Sequence, residues 1–127
     1  TVAVLGSEPE LFVYSRRRSA TGYIYVYPLV EPHPANLRMQ REMIAEIEAA
    51  SPRYLVYCNV PASWAASPGA PTDILQWFNR YAPARYGVVG IVEVGSADTP
   101  PAYYWDAAAV RHAPGPNSLW VMRRKGA

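Results

Sequence analysis

The chain has 127 residues, half of them apolar and 17% charged, so it is long enough for one domain with its own core and too apolar to be disordered. Its net charge of +2 is too small to indicate nucleic-acid binding, and its single cysteine, Cys58, excludes an intramolecular disulfide. No apolar run approaches the ~20 residues that a membrane-spanning helix needs.

The first predicted element is a buried strand over Val2–Leu5, which breaks at Gly6. Ser7 is a candidate helix cap, and Glu8 suits the positive end of the short helix predicted over residues 8–14. A turn between a strand and a helix is where phosphate loops occur. This one lacks both the spaced glycines and the Gly-Lys-Ser/Thr sequence of such loops, and Glu8 would repel phosphate.

Two features follow the first helix. Arg16-Arg17-Arg18 form a positive patch, and Arg123-Arg124-Lys125 near the other end of the chain form another. With nearby tyrosines they could bind nucleic acid or acidic headgroups, or they could simply be a solvated loop and a basic tail. The alternating segment Tyr23–Tyr27 predicts a strand that presents Tyr25, Tyr27 and a third tyrosine on one face. Such a row could stack on sugars, although a half-buried strand face is the commoner explanation.

The middle of the chain predicts a helix, a strand and a second helix. Residues 34–50 read as an amphipathic helix that ends before Pro52. The near-continuous apolar run Tyr54–Val60 predicts a strand that is buried on both faces, followed by a loop over residues 61–71. The second amphipathic helix is predicted from Thr72 to Pro83.

The remaining pattern predicts three more strands and completes the expected fold. The strands are Gly87–Val94, Ala102–Trp105 and Leu119–Met122, the last two joined by an irregular segment around His112. The alternation of strands and helices predicts one α/β domain over residues 1–127. It is expected to be three-layered and Rossmann-like, with a mostly parallel sheet and antiparallel edge strands.

In such sheets, ligands bind beyond the carboxyl ends of the strands, which makes Ser7, Glu8 and Asn59 the candidate crevice. A triad of Ser7 with His112 and an aspartate can be written down, but the Gly-Xaa-Ser-Xaa-Gly elbow is absent. Two distant histidines and one cysteine do not form a metal-ligand pattern. We therefore predict no catalytic residue, no metal site and no cofactor.

Residues 5–30 resemble the C-terminal soluble domain of bacterial polytopic membrane proteins. Those proteins are related to the dolichyl-phosphate-mannose–protein mannosyltransferases and to the aminoarabinose transferases of lipid A. The resemblance covers about two thirds of the chain. Its most specific segments are Gly6-Ser7-Glu8-Pro9 and Arg17-Arg18-Ser19-Ala20-Thr21, with weaker ones at Tyr23-Ile24-Tyr25, Tyr27-Pro28-Leu29, Glu42-Met43-Ile44, Asn59-Val60-Pro61 and Trp77-Phe78. Arg16 departs from the pattern, since a small residue is expected there.

The resemblance implies that this chain is excised from a longer protein whose transmembrane helices precede Thr1. That parent would lie in the bacterial inner membrane and transfer a sugar from a polyprenyl-phosphate donor, with its catalytic acid in a loop outside this chain. This domain would then be a non-catalytic, periplasmic module that scaffolds the transmembrane part or helps recognise a glycan or protein acceptor. Arg16–Arg18 would face anionic lipid headgroups or the donor phosphate.

Two alternatives remain open from the residues themselves. The chain could be a free-standing domain or enzyme that binds a nucleotide or sugar phosphate at Ser7, Glu8 and Asn59. It could also be an interaction module with no small ligand. A fold shared by unrelated functions does not decide between these readings.

Overall fold

The structure is a computed structural model that describes residues 1–127. It is an α/β domain built from one five-stranded mixed sheet and six helices. In chain order the elements are β1 (Val2–Leu5), α1 (Glu10–Ser15), α2 (Tyr27–Val30), α3 (Asn36–Ala50), β2 (Tyr54–Asn59), α4 (Pro61–Trp64), α5 (Asp73–Arg85), β3 (Tyr86–Glu93), β4 (Ala102–Trp105), α6 (Ala107–Arg111) and β5 (Ser118–Arg124).

The sheet is mostly antiparallel, so the prediction of a mostly parallel sheet was wrong. Its strand order is β1-β2-β5-β3-β4, and only β1 and β2 run parallel. The last strand, β5, inserts between β2 and β3 and runs antiparallel to both, while β4 pairs antiparallel with β3 at the edge. The expected antiparallel edge is therefore present, but the three-layer Rossmann-like arrangement is not confirmed.

The two faces of the sheet are covered unequally. On one face, Leu5, Leu55 and Met122 pack against α3 and α5 in a core of 15 buried residues. On the other face, Val4 and Val56 belong to a cluster of four buried residues that is covered by α1. Since successive strand residues point to opposite faces, the apolar runs of β1 and β2 supply both clusters at once.

The predicted strand over Tyr23–Tyr27 does not form. The Thr21 hydroxyl accepts from the Tyr23 backbone N–H and donates to its carbonyl, both at 3.1 Å, which closes a turn. The Val26 N–H donates to Ser7 Oγ at 3.0 Å instead of joining a ladder, and α2 begins at the next residue with Pro28 in its first turn. The local polar side chains therefore take the hydrogen bonds that a strand needs.

Three helices also differ from the predictions. Helix α5 continues through Pro83 to Arg85, because a proline in the last turn removes only one backbone hydrogen bond. The region predicted as a loop over residues 61–71 begins with the short helix α4, which has Pro61 in its first turn. The five-residue helix α6 follows β4 and was not predicted.

A buried glutamine joins the helices on the main core face. Gln40, on α3, is fully buried, and its Nε2 donates to the Leu29 and Pro71 carbonyls at 2.8 Å each. Its Oε1 accepts from the Ile74 N–H at 3.0 Å, so this side chain, and not Thr72, binds the first turn of α5. A single amide thus satisfies polar groups from three segments in an apolar core.

We expect Gln40→Leu to destabilise the domain by about 3 kcal/mol, because it leaves two carbonyls and one N–H buried without partners. The control is Gln76→Leu on the exposed side of α5, where the expected change is within about 0.5 kcal/mol. Urea unfolding of the two variants measures the difference. Equal stability of the two variants would contradict the role assigned to Gln40.

Candidate functional site

The carboxyl ends of β1 and β2 pack tightly against each other, in a contact that we call the joint. It is formed by Gly6, Ser7, Cys58 and Ser63. A Cβ atom added at Gly6 would lie 2.5 Å from Cys58 Sγ and 2.8 Å from Ser63 Oγ, so only glycine fits there. The Ser7 N–H donates to Ser63 Oγ at 2.8 Å and to the Ser63 carbonyl at 3.1 Å, and Ser7 Oγ accepts from the Val26 N–H. Ser7 is only 8% exposed, so its hydroxyl links chain segments and does not cap α1.

Burial raises the pKa of both the Glu8 carboxyl and the Cys58 thiol at this joint. Burial, followed by a hydrogen bond with Glu10, raises the pKa of Glu8 above its ordinary value, while a hydrogen bond with Ser63 opposes the shift. Burial, with the nearby Glu8 charge as a smaller cause, raises the pKa of the Cys58 thiol to about 12. A thiol held protonated is a poor nucleophile, and two neighbouring carboxyl groups repel phosphate.

Asn59, the last residue of β2, is bonded to a different chain segment from Ser7 and Glu8. Its Nδ2 donates to the Gly115 carbonyl at 3.3 Å, beside β5. Ser7 and Glu8 lie beside Ser63 and Cys58. None of the clefts in the structure is lined by Ser7, Glu8 or Asn59, so the predicted crevice stays a prediction.

Tyr25 lies on the turn that leads into α2, and Tyr27 is the first residue of that helix. Their rings stack with centroids 6.2 Å apart and planes 16° apart, and Tyr25 is 46% exposed. The Tyr27 hydroxyl donates to the Ala62 carbonyl at 3.3 Å, which ties the pair to α4. The pair is thus a small aromatic surface next to the joint, formed without a strand.

The three consecutive arginines lie at the opposite end of the strands, where β1 begins. Arg16 ends α1 in the left-handed region with φ 54°, and the Arg17 guanidinium lies 4.8 Å from the centroid of the Tyr54 ring. The Arg18 carbonyl accepts from the Val2 N–H at 3.1 Å. All three side chains are exposed, and none has a carboxylate within ion-pair distance.

The topology brings other basic residues to the same edge. The Arg124 N–H donates to the Arg53 carbonyl and the Lys125 N–H to the Arg85 carbonyl, both at 2.9 Å. Eight of the 12 lysine and arginine residues of the chain therefore gather there, all exposed and none in an ion pair. We call this group the basic edge, meaning the end of the sheet where β1, β2 and β3 begin and β5 ends. It comprises Arg16, Arg17, Arg18, Arg53, Arg85, Arg123, Arg124 and Lys125.

The sequence alone does not show that the residues of the basic edge lie together. The runs 16–18 and 123–125 are visible as local clusters, but Arg53 and Arg85 stand alone in the sequence. Arg53 precedes β2 and Arg85 precedes β3, whose first residues pair with the end of β5. Only the sheet order, with β5 in the centre, reveals that these side chains are neighbours.

A second feature is an open cleft of ≈ 650 Å³ between α5 and α6, on the main core face. Its floor is formed by β3 and β5, with Val88, Ile91 and Trp120 as apolar contacts. Lys125 lies at one end of the cleft and His112 at the other. The sequence did not predict this cleft because one of its walls, α6, was not recognised as a helix.

The His112 end of the cleft carries a hydrogen-bonded pair. His112 Nε2 lies 2.8 Å from Glu93 Oε1, which also accepts from the Gly115 N–H at 2.8 Å, and the imidazole stacks on Tyr104 with centroids 3.8 Å apart. The Gly115 N–H, with His112 as a second cause, holds the pKa of Glu93 below its ordinary value. The pair positions the segment between α6 and β5.

No group of three or more histidine, cysteine, aspartate or glutamate side chains is placed to hold a metal ion. None of the helices is both long and apolar enough to cross a membrane. Comparison with protein-family models, with curated proteins and with solved structures finds no match for this chain. The resemblance to membrane glycosyltransferases therefore stays a prediction.

We expect Gly6→Ala to destabilise the domain by about 3 kcal/mol, because the added methyl group overlaps Cys58 and the buried Ser63. Gly87→Ala is the matched control, since a Cβ at Gly87 meets no atom within 4 Å and the expected change is within about 1 kcal/mol. Thermal and urea unfolding test both variants. If Gly6→Ala were as stable as Gly87→Ala, the joint would not be tightly packed.

The lowered pKa of Glu93 predicts a pH dependence with a defined sign. A carboxylate whose pKa falls on folding stabilises the fold at pH values above its pKa in the unfolded chain, which is near 4.5. This contribution is lost as the pH falls through the lower pKa of the folded state. Glu93→Gln should therefore lower the melting temperature near neutral pH. In acid, the melting temperature of this variant should approach that of the original chain. Asp98→Asn, at an exposed carboxylate, serves as control. A Glu93→Gln deficit that persisted unchanged into acid would contradict this origin.

Proposed function

We propose that this domain is a non-catalytic, extracytoplasmic module of a bacterial membrane glycosyltransferase that uses a polyprenyl-phosphate sugar donor. In this proposal the domain scaffolds the transmembrane part or helps recognise the acceptor, and it rests on the membrane through its basic edge. The observation that carries the proposal is the basic edge itself, where eight exposed cations gather without ion-pair partners.

The position of the first strand supports this orientation. The resemblance puts the transmembrane helices before Thr1, and Val2 is bonded to Arg18 at the basic edge. A chain that leaves the bilayer and continues into β1 would bring this edge close to the headgroups. Anionic lipids attract clusters of lysine and arginine by ~1 kcal/mol per residue near the surface, and this attraction falls off within about 10 Å.

The residues that carry the resemblance support a scaffolding role. Gly6 and Ser7, from the Gly-Ser-Glu-Pro segment, close the joint at the far end of β1. Arg17 and Arg18, from the second segment, lie at the basic edge. One segment is thus used for packing and the other for surface charge, and neither presents an activated nucleophile or a free acid–base pair.

The stacked pair of Tyr25, which is exposed, and Tyr27, which is partly buried, is the surface that we assign to acceptor contact. The two rings lie at the opposite end of β1 from the basic edge, as Ser7 and Val26 connect them to the joint. They would face away from the membrane, where a glycan or protein acceptor is accessible. Exposed aromatic rings offer a large rigid contact area at low entropic cost.

The test is binding of this chain to vesicles that contain phosphatidylglycerol, compared with vesicles of phosphatidylcholine alone. We expect binding only to the anionic vesicles, and a decrease of about 100-fold when Arg16, Arg17 and Arg18 are all replaced by Gln, since three charges contribute ~1 kcal/mol each. The matched control removes three charges elsewhere, at Arg38, Arg41 and Arg80.

Equal weakening by the two triple variants would mean that net charge, and not the basic edge, governs attachment. Equal binding to both vesicle types would overturn the proposed orientation. In the full-length transferase, unchanged activity and unchanged membrane association of the Arg16–Arg18 variant would count against a role for these residues in the parent.

A further inference from the structure

The cleft between α5 and α6 has the features of a ligand site. Its volume of ≈ 650 Å³ lies within the range of small-molecule sites, and most of its lining is apolar. Val88 and Trp120 form part of the floor, and both remain only partly buried because no side chain of this domain fills the space above them. Apolar surface left open in this way gains free energy when an apolar partner covers it.

The shape of the cleft favours an elongated occupant. The floor follows β5 from Trp120 to its end and continues to Lys125, the next residue, over roughly 16 Å at about 3.3 Å per residue. Helix α5 forms one wall through Phe78 and Ala82, and α6 forms the other through Ala109. A polar ligand lying along these walls would lose hydrogen bonds to water that the apolar lining does not replace.

The two ends of the cleft differ in charge. The Lys125 ammonium donates to the Pro83 carbonyl at 2.6 Å, which holds the ammonium at the end of the cleft next to the last turn of α5. Two of its three N–H groups remain available. No carboxylate lies within 4 Å of it. At the other end of the cleft, His112 is already paired with Glu93. The cleft therefore offers one unpaired positive charge, at one end only.

We propose that this cleft binds a long-chain carboxylate, such as a free fatty acid. The carboxylate accepts hydrogen bonds from the Lys125 ammonium, and the alkyl chain lies along Val88, Ile91 and Trp120 towards His112. A single ammonium matches a single negative charge, whereas a phosphate monoester carries nearly two and needs more donors. No assigned role of the basic edge requires this site, so the inference goes beyond the proposed function.

The first test is titration calorimetry of the whole chain with dodecanoate below its aggregation concentration. We expect saturable one-to-one binding, weakened by about 10-fold or more in Lys125→Gln, because a charge-assisted hydrogen bond is lost. Arg80→Gln removes an equal charge outside the cleft and should bind like the original chain. Dodecanol and dodecyl phosphate should both bind more weakly than dodecanoate.

The second test blocks the apolar part of the cleft without disturbing the core. Val110 is 72% exposed at the rim, so Val110→Asp adds a charge there while the fold is preserved. Val13→Asp is the matched control, because Val13 is also 72% exposed but lies on α1, on the opposite face of the sheet. We expect Val110→Asp to weaken dodecanoate binding at least 10-fold and Val13→Asp to leave it unchanged.

The outcomes separate the site from unspecific binding. No saturable binding of dodecanoate, or equal binding by Val110→Asp and Val13→Asp, would overturn the proposal. Equal binding of dodecanol would remove the role of Lys125, and tighter binding of dodecyl phosphate would overturn the choice of a carboxylate. Vesicle attachment through Arg16–Arg18 is measured separately, so failure of this site leaves the proposed function intact.

Discussion

The close approach of Gly6 to Cys58 is the constraint on which the rest of this fold depends. It brings β1 and β2 together at their carboxyl ends with no space for a side chain. This contact lets Ser7 bind Ser63 through its N–H and Val26 through its hydroxyl, which fixes α4 and the approach to α2. The turn that occupies the position of a ligand-binding loop is therefore closely packed, and the surfaces that we propose to be functional lie elsewhere.

The insertion of β5 between β2 and β3 determines where those surfaces are. Because β5 runs antiparallel to both neighbours, it ends at the edge where β1, β2 and β3 begin, and it carries Arg123–Lys125 there. The same insertion leaves the floor of β3 and β5 open between α5 and α6. One topological feature thus produces both the basic edge and the apolar cleft, with Lys125 common to them.

The sequence was most informative where local pattern decides structure. The apolar runs of β1, β2 and β3 and the periodicity of α3 and α5 predicted those elements well, since burial alone sets them. The segment Tyr23–Tyr27 has the composition of a strand, but Thr21 and Ser7 take its backbone hydrogen bonds. Strand order was beyond reach, because pairing of distant strands leaves no local signal. The basic edge was therefore predicted in two pieces, and the cleft was not predicted.

The most direct test of the central claim, that the basic edge faces an anionic membrane, is the depth of environment-sensitive labels at the two ends of the sheet. Ser15→Cys places a label beside Arg16, and Ser96→Cys places one at the opposite end, while Cys58 is buried and its pKa of about 12 keeps it unreactive. On phosphatidylglycerol vesicles the account predicts a blue shift and quenching by a lipid-borne quencher for the Ser15→Cys label only. Equal responses at both positions, or a response at Ser96→Cys alone, would contradict it.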